Sequence, residues 1–422
     1  MPARSELARS PAFLRLWAGQ AASQLGFQVA LIATSTIAIT LLHASNRELG
    51  VLGALQTAAF LLIGLPAGAW VDRWLKRPTM IVADLARVAA LISVPIAHWA
   101  GRLTIGHLML VAAVLGFATV FFDVAYQSYV PALVGPAKVA EANGKLEATA
   151  QIARVSGPGL GGWLVGVVAA PFVYAFTAFA YVVSAAAVWS IRAPEARPDR
   201  EAAPPLIPAI KEGVDYVRGE PLLAPLFACI SMAAFFSQGQ FVLFPVLVLR
   251  DLGMSATALG GLLSIGAIGG LAGAIAHPRI VASIGEGRAI TICNFAGVVV
   301  WFGLPASVSA GRCAIPIIVA VTLVNSFFLT IYNITQMSLR QRICPPALLG
   351  RLNATFRFAV WGMMPLGSFA CGLLAEAIGV VPALYLFIAG ALAASVLMVF
   401  TPAARIGRPE RSTRPIPGLD EA

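Results

Sequence analysis

Six charged side chains stand in stretches that are otherwise apolar: Asp84, Arg87, Asp123, Glu147, Arg154 and Arg357. A charge without water around it is costly unless it faces an opposite charge or a wet cavity. Two chemistries suit such groups. A permanent Asp–Arg pair is structural. A carboxylate that trades between an arginine and a proton is a coupling device, because its affinity for the proton depends on whether the arginine is near. Asp123 is the candidate for that role, and it could pair with Arg87 or Arg154, of which Arg154 is the foremost modulator. At a 1.5 Å rise per residue, Asp123 and Arg87 lie roughly 13 Å and 12 Å inside their helices, and Arg154 roughly 20 Å. Amides add donors and acceptors without fixed charge: Gln20, Gln24, Gln28, Gln238, Gln240, Asn325, Asn333 and Gln336. With Phe122, Tyr126, Tyr332 and Arg357, they form a candidate substrate cavity suited to a bulky amphiphile rather than to a sugar or an inorganic ion.

The elements that must position these groups are long and greasy. The chain has 422 residues, 59% hydrophobic and 11% charged, against about a quarter charged in a soluble domain. Residues 16–46, 49–71, 103–122, 222–249, 252–278, 289–311, 313–339 and 377–404 contain no Asp, Glu, Lys or Arg. About 20 apolar residues suffice to cross a bilayer. The expected spans are 13–42, 49–72, 79–99, 105–132, 141–168, 171–191, 221–249, 256–282, 289–310, 313–338, 352–376 and 381–401. The fold class is therefore an all-α membrane protein of twelve transmembrane helices.

The net charge of +10 is a matter of placement. Twenty-two of the 29 Lys and Arg fall on the side of the termini, and Arg47, Arg102, Arg250 and Arg312 on the other. The positive-inside rule puts both termini in the cytoplasm, and no nucleic-acid surface is needed to explain the basic excess. The apolar run after Arg15 is too long for the core of a cleaved signal. The five cysteines and four histidines lack redox or metal spacing, so neither a metal nor a cofactor is expected.

Between the sixth and seventh spans the chain turns charged and proline-rich. Ile207, Ile210, Val214 and Val217 follow helical spacing there, as in a short helix on the membrane surface. The expected organisation is a half at 1–191, a linker at 192–220, a half at 221–402 and a disordered basic tail at 403–422. A shift of 206 positions brings Phe121-Phe122 onto Phe327-Phe328, Tyr126 onto Tyr332, Ala148-Thr149 onto Ala354-Thr355 and Gly161 onto Gly367. A duplicated six-helix half with a binding site between the halves is a transporter architecture.

Two motifs narrow this. After the second span the chain reads GAWVDRWLKR, residues 68–77. The pattern resembles the signature of the major facilitator superfamily, with Leu75 where glycine is usual. The resemblance implies two pseudo-symmetric six-helix halves and a cytoplasmic latch of Gly68, Asp72, Arg73, Lys76 and Arg77 that holds the outward-facing state, with Asp84 and Glu147 as further partners. In the fifth span Gly157, Pro158, Gly161 and Gly162 form GPxxGG, which resembles the antiporter motif of proton-coupled exporters in that superfamily, with Ala153 where the motif begins with glycine. Pro158 has no N–H, so the carbonyl of Arg154 loses its helical partner, and the glycines let another helix approach.

The segments FLRLWAGQAASQLG, ADLARV, FFDVAYQSYVPALV and LRQRICPPALLGRLNATFRF are similar to the bacterial branch that includes enterobactin exporters and macrolide efflux proteins. The resemblance implies a proton antiporter that expels a drug, siderophore or secondary metabolite through the inner membrane, acting as a monomer and not as an enzyme. An importer or uniporter of the same fold is the alternative. A sensor or membrane enzyme is disfavoured by the lack of a catalytic cluster or a Walker pattern.

Overall fold

The computed structural model describes residues 7, 10–135, 138–193, 195, 215–221, 223–343 and 349–402. Twelve long helices account for most of them. The first half holds α1 (Pro11–Thr36), α2 (Asn46–Asp72), α3 (Lys76–Trp99), α4 (Ile105–Val134), α5 (Val139–Val167) and α6 (Ala170–Trp189). The second holds α7 (Leu223–Val246), α8 (Ala256–Ile284), α9 (Glu286–Trp301), α10 (Ala314–Ile343), α11 (Leu349–Ile378) and α12 (Val380–Val399). Among the described residues there is no strand. Eleven helical segments are long and apolar enough to cross a membrane. The twelfth helix, α5, is not among them; Glu141, Lys145, Glu147 and Arg154 stand along its first sixteen residues.

Local chemistry sets the helix ends. Ser45 and Glu48 form a reciprocal capping box at the start of α2, which satisfies two donors that a helix N-terminus leaves free. Ser10, Thr104 and Ser255 cap α1, α4 and α8 in the same sense. Both α1 and α7 finish in a π turn, Ile37–Leu41 and Leu247–Asp251.

Those two turns are 210 residues apart, and so are the starts of α2 and α8, α3 and α9, α5 and α11, and both ends of α6 and α12. The structural repeat is thus 210 rather than the 206 that the residue matches suggest. The difference of four residues is close to one helical turn, so a slipped match still compares residues on one face. The linker positions Ile207, Ile210 and Val214, and the tail from 403, lie outside the described residues. Val217 is buried against Leu223, Phe227 and Leu352.

Among the described residues, a buried apolar cluster joins the halves on one side only. On the side away from the termini, one apolar cluster spans both, joining Val29, Ile37 and Leu52 to Leu243, Val246 and Phe387. On the terminal side each half has its own cluster: Phe13, Met80 and Tyr129 in the first, Leu226, Ile290 and Ile331 in the second. The cleft between the halves therefore opens toward the termini.

Candidate functional site

The seam that closes the cleft is built from glycine. Along α5 the glycines face two neighbours in turn. A Cβ on Gly157 would lie 2.4 Å from Gln28 Cβ, and one on Gly161 3.1 Å from Val29 Cα, both on α1. A Cβ on Gly162 would lie 2.6 Å from the carbonyl oxygen of Ala256 on α8, and one on Gly260 of α8 2.2 Å from that of Pro158. The backbones touch, as small residues allow. Two hydrogen bonds cross there: Gly159 N–H donates to Ser264 Oγ (2.9 Å), and Thr257 Oγ1 to the Gly162 carbonyl (2.9 Å). The mirror seam joins α2 to α11, where a Cβ on Gly50 would lie 2.7 Å from Gly372 Cα.

Polar bonds seal the side away from the termini. The backbone N–H groups of Asn46 and Arg47 donate to Glu376 Oε2 at 3.0 and 3.3 Å, an anion on the positive end of α2. Arg250 donates to Asn46 Oδ1 (3.0 Å) and to the Ala44 carbonyl (2.5 Å).

Below this seal lies a cavity of about 590 Å³. Gln24, Gln28, Arg154, Pro158 and Gln238 line it, as do Gln56, Phe27, Phe241 and Met364. The rest of the expected cavity set is placed elsewhere. Gln20 and Tyr332 are buried with an oxygen lacking a partner. Gln240 donates to the Phe387 carbonyl (3.3 Å), and Asn325 to that of Gly297 (3.0 Å). Asn333 is exposed. Phe122 and Tyr126 stack on each other (6.2 Å) in the first half. A larger apolar groove of about 1180 Å³ lies on the flank of α3 and α4, from Arg73 to Phe121, away from the cleft.

The charges form a separate cluster. Arg87 Nη1 donates to Asp84 Oδ1 at 2.9 Å, with both side chains buried. The Arg87 guanidinium also sits between the rings of Phe122 (4.7 Å) and Tyr181 (5.0 Å), an arrangement that offsets part of its desolvation. Among the described residues, Asp84 Oδ2 and Arg87 Nε have no partner within hydrogen-bonding geometry, and Ser184 is a polar neighbour of Asp84. Asp123 is half-buried, and the cations it feels are Arg87 of its own half and Arg357 of the other. Arg357 stacks on Trp361 (4.5 Å) and donates to Gln127 Oε1 (3.1 Å) across the cleft. Gln127 is one turn beyond Asp123 on α4, so the bond spans the cleft beside the carboxylate. Arg154 is not among these neighbours; it is exposed in the cavity above.

Among the described residues, no latch side chain forms an ion pair with another in this conformation. Asp72 and Arg73 are exposed, and a Cβ on Gly68 would meet nothing within 4 Å. Lys76 Nζ donates to the carbonyls of Val71 (3.0 Å), Asp72 (3.2 Å) and Trp74 (3.1 Å), capping the end of α2. Arg77 donates to the carbonyls of Val188 (3.2 Å) and Trp189, while Glu195 accepts the backbone N–H groups of Lys76 and Arg77. Glu147 accepts from Gln151 (2.7 Å).

Sequence reasoning missed Gln56, Gln127, Glu376 and Arg250. Only Gln127 carried a usable signal, being four residues from Asp123 and so on its face. Glu376 and Arg250 act through partners on distant parts of the chain, and Gln56 is a wall of the cavity.

A family model described as Major Facilitator Superfamily matches residues 16–368. The multidrug efflux pump Tap of Mycobacterium tuberculosis is 26% identical over 385 residues, covering 88% of each chain. Among solved structures, a bacterial homologue of the iron transporter ferroportin in its inward-facing state has a TM-score of 0.73 at 16% identity, covering 92% of this chain and 98% of that one. The outward-facing state of a bacterial ferroportin homologue scores 0.60 at 15% identity, covering 92% and 98%. A mutant of the nucleoside transporter NupG scores 0.73 at 13% identity, covering 92% and 99%.

Proposed function

The chain belongs to the Major Facilitator Superfamily, and on that premise we propose that this multi-pass transporter is a proton-driven exporter of small amphiphilic molecules. The halves rock about the glycine seams, and the cleft seen here faces the cytoplasm with both termini. The excess of Lys and Arg on that side supports the orientation.

The observation that carries the coupling is the position of Asp123. It is half-buried, one turn from the Gln127–Arg357 bond that crosses the cleft, and it feels a cation of its own half, Arg87, and one of the other, Arg357. Rocking moves Arg357 relative to Asp123, so the carboxylate's affinity for a proton changes with the state of the transporter. Arg87, held by Asp84, is the fixed partner. The efflux direction rests on the similarity to Tap and on the GPxxGG helix, whose Gly157 and Gly161 pack against α1 and whose Gly162 packs against α8. On this reading Asp72, Arg73, Lys76 and Arg77 engage when the cleft closes, which is why Asp72 and Arg73 stand exposed now.

The test uses purified protein in liposomes with an imposed pH gradient and an internal pH dye, to which macrolides, dyes and catecholate siderophores are added singly. Proton flux should appear with a transported compound and disappear in Asp123→Asn. Transport by that variant with an unchanged pH dependence would sink the coupling role. Accumulation in the opposite sense would turn the reading to import.

A further inference from the structure

Among the described residues, the cavity under the seal has a single charged lining residue. Its other polar groups are the amides of Gln24, Gln28, Gln56 and Gln238 and the hydroxyls of Thr34 and Ser35, and its walls are apolar. That residue is Arg154, exposed into the cavity in the middle of α5. It faces no lining carboxylate. Asp123, the half-buried carboxylate of α4, has Arg87 and Arg357 for its cations, not Arg154. Glu147, two turns away on α5, accepts from Gln151.

An arginine at this depth is tolerable while water fills the open cleft. Once the cleft closes and the water leaves, the guanidinium needs a counter-charge, because an unpaired buried charge is strongly disfavoured. Nothing that lines the cavity provides one. The cavity volume of about 590 Å³ falls within the range of small-molecule sites, roughly 300–1,000 Å³. Arginine is also the side chain best suited to grip a carboxylate, sulfonate or phosphate with two parallel hydrogen bonds.

We propose that Arg154 is the anion anchor of the substrate site, and that the transported molecule is an amphiphile carrying an acidic group, held by its anion at Arg154 and by its apolar body against Phe27, Phe241 and Met364. Opening toward the termini brings an anion into contact with Arg154, and the glutamine amides orient the remaining polar atoms. The inference rests on the transport reading for its biological meaning, but the site makes a binding claim of its own.

The experiment separates the two. The full-length protein in nanodiscs is titrated with fluorescein, an anionic xanthene, and with rhodamine 6G, a cationic one of the same ring system, and binding is followed by fluorescence anisotropy. Wild type should bind fluorescein the more tightly. Arg154→Met, which installs the residue type found at Met364, should weaken fluorescein binding about tenfold or more, the usual scale for a charge-assisted hydrogen bond, and leave rhodamine 6G unchanged or tighter. Arg154→Lys should recover part of the fluorescein affinity and so show that the site still folds. Equal binding of both dyes by wild type, or an equal loss of both in Arg154→Met, overturns the proposal. Transport is read separately in energised vesicles: charge-selective binding with no movement of either dye leaves the anion site standing and counts against the export reading.

Discussion

The two halves share a frame but not a chemistry. In the 210-residue repeat, Gly50 corresponds to Gly260 and Gly162 to Gly372, and each forms the same close crossing, α2 on α11 and α5 on α8. The charges within the spans do not repeat in kind, and Glu147 corresponds to Arg357. Asp84 and Arg87 correspond to Asn294 and Gly297, and Arg154 to Met364. Asp123 corresponds to an uncharged residue, Tyr332 or Asn333, depending on whether α4 and α10 are aligned by their ends or by the common repeat. Glu376, which caps α2, corresponds to Gly166. Packing that must work on both sides of the pseudo-axis keeps its symmetry. Coupling and substrate recognition need one set of charges, and a second set would add only desolvation cost.

The largest effects should come from the shared part. Gly260→Val places carbon where the Pro158 carbonyl oxygen stands, and Gly50→Val does the same against Gly372. Both should abolish recovery of monodisperse protein from the membrane, assayed by fluorescence size-exclusion chromatography. A well-folded, active Gly50→Val beside a collapsed Gly260→Val would break the equivalence of the seams.

Next comes the unshared charge. Asp123→Asn should bring gradient-driven transport to background while downhill substrate exchange persists, measured with the same liposomes and a labelled substrate. Asn333→Ala, at a position that corresponds to Asp123 in the other half, should leave gradient coupling intact. Loss of exchange along with coupling in Asp123→Asn would assign Asp123 to substrate binding instead.

Breaking the Asp84–Arg87 pair from one side strands a buried charge. Arg87→Met should destabilise the protein by about 3–5 kcal/mol, seen as a lower unfolding midpoint in detergent. The double variant Arg87→Met/Asp84→Asn should recover much of that loss. No recovery would mean that Arg87 acts through its stacking on Phe122 and Tyr181 rather than through its charge.

The smallest effect is at the seal. Glu376→Ala removes an acceptor from the start of α2 and should cost about 1 kcal/mol. That loss is enough to raise the labelling rate of a cysteine placed at Ser35, near the closed end of the cavity, several-fold with a membrane-impermeant maleimide applied from outside. An unchanged rate would show that the glycine seams close the far side unaided.

What could be known from the sequence was local. The twelve helices begin and end within a few residues of the expected spans for most elements, because apolar length, capping serines and basic loops each act within a turn or two of their own position. The glycines of the fifth span were likewise marked as a close-approach site, since missing side chains and a missing N–H are properties of residues themselves. The tertiary structure decided the rest. It set the repeat at 210, where local matches at 206 were blind to a slip of one turn. It divided the glycines of α5 between α1 and α8, put Arg357 rather than Arg154 near Asp123, and left Arg154 facing an uncharged cavity. A helix determines which of its residues share a face, but the partner of that face belongs to another helix far along the chain, and only packing brings the two together.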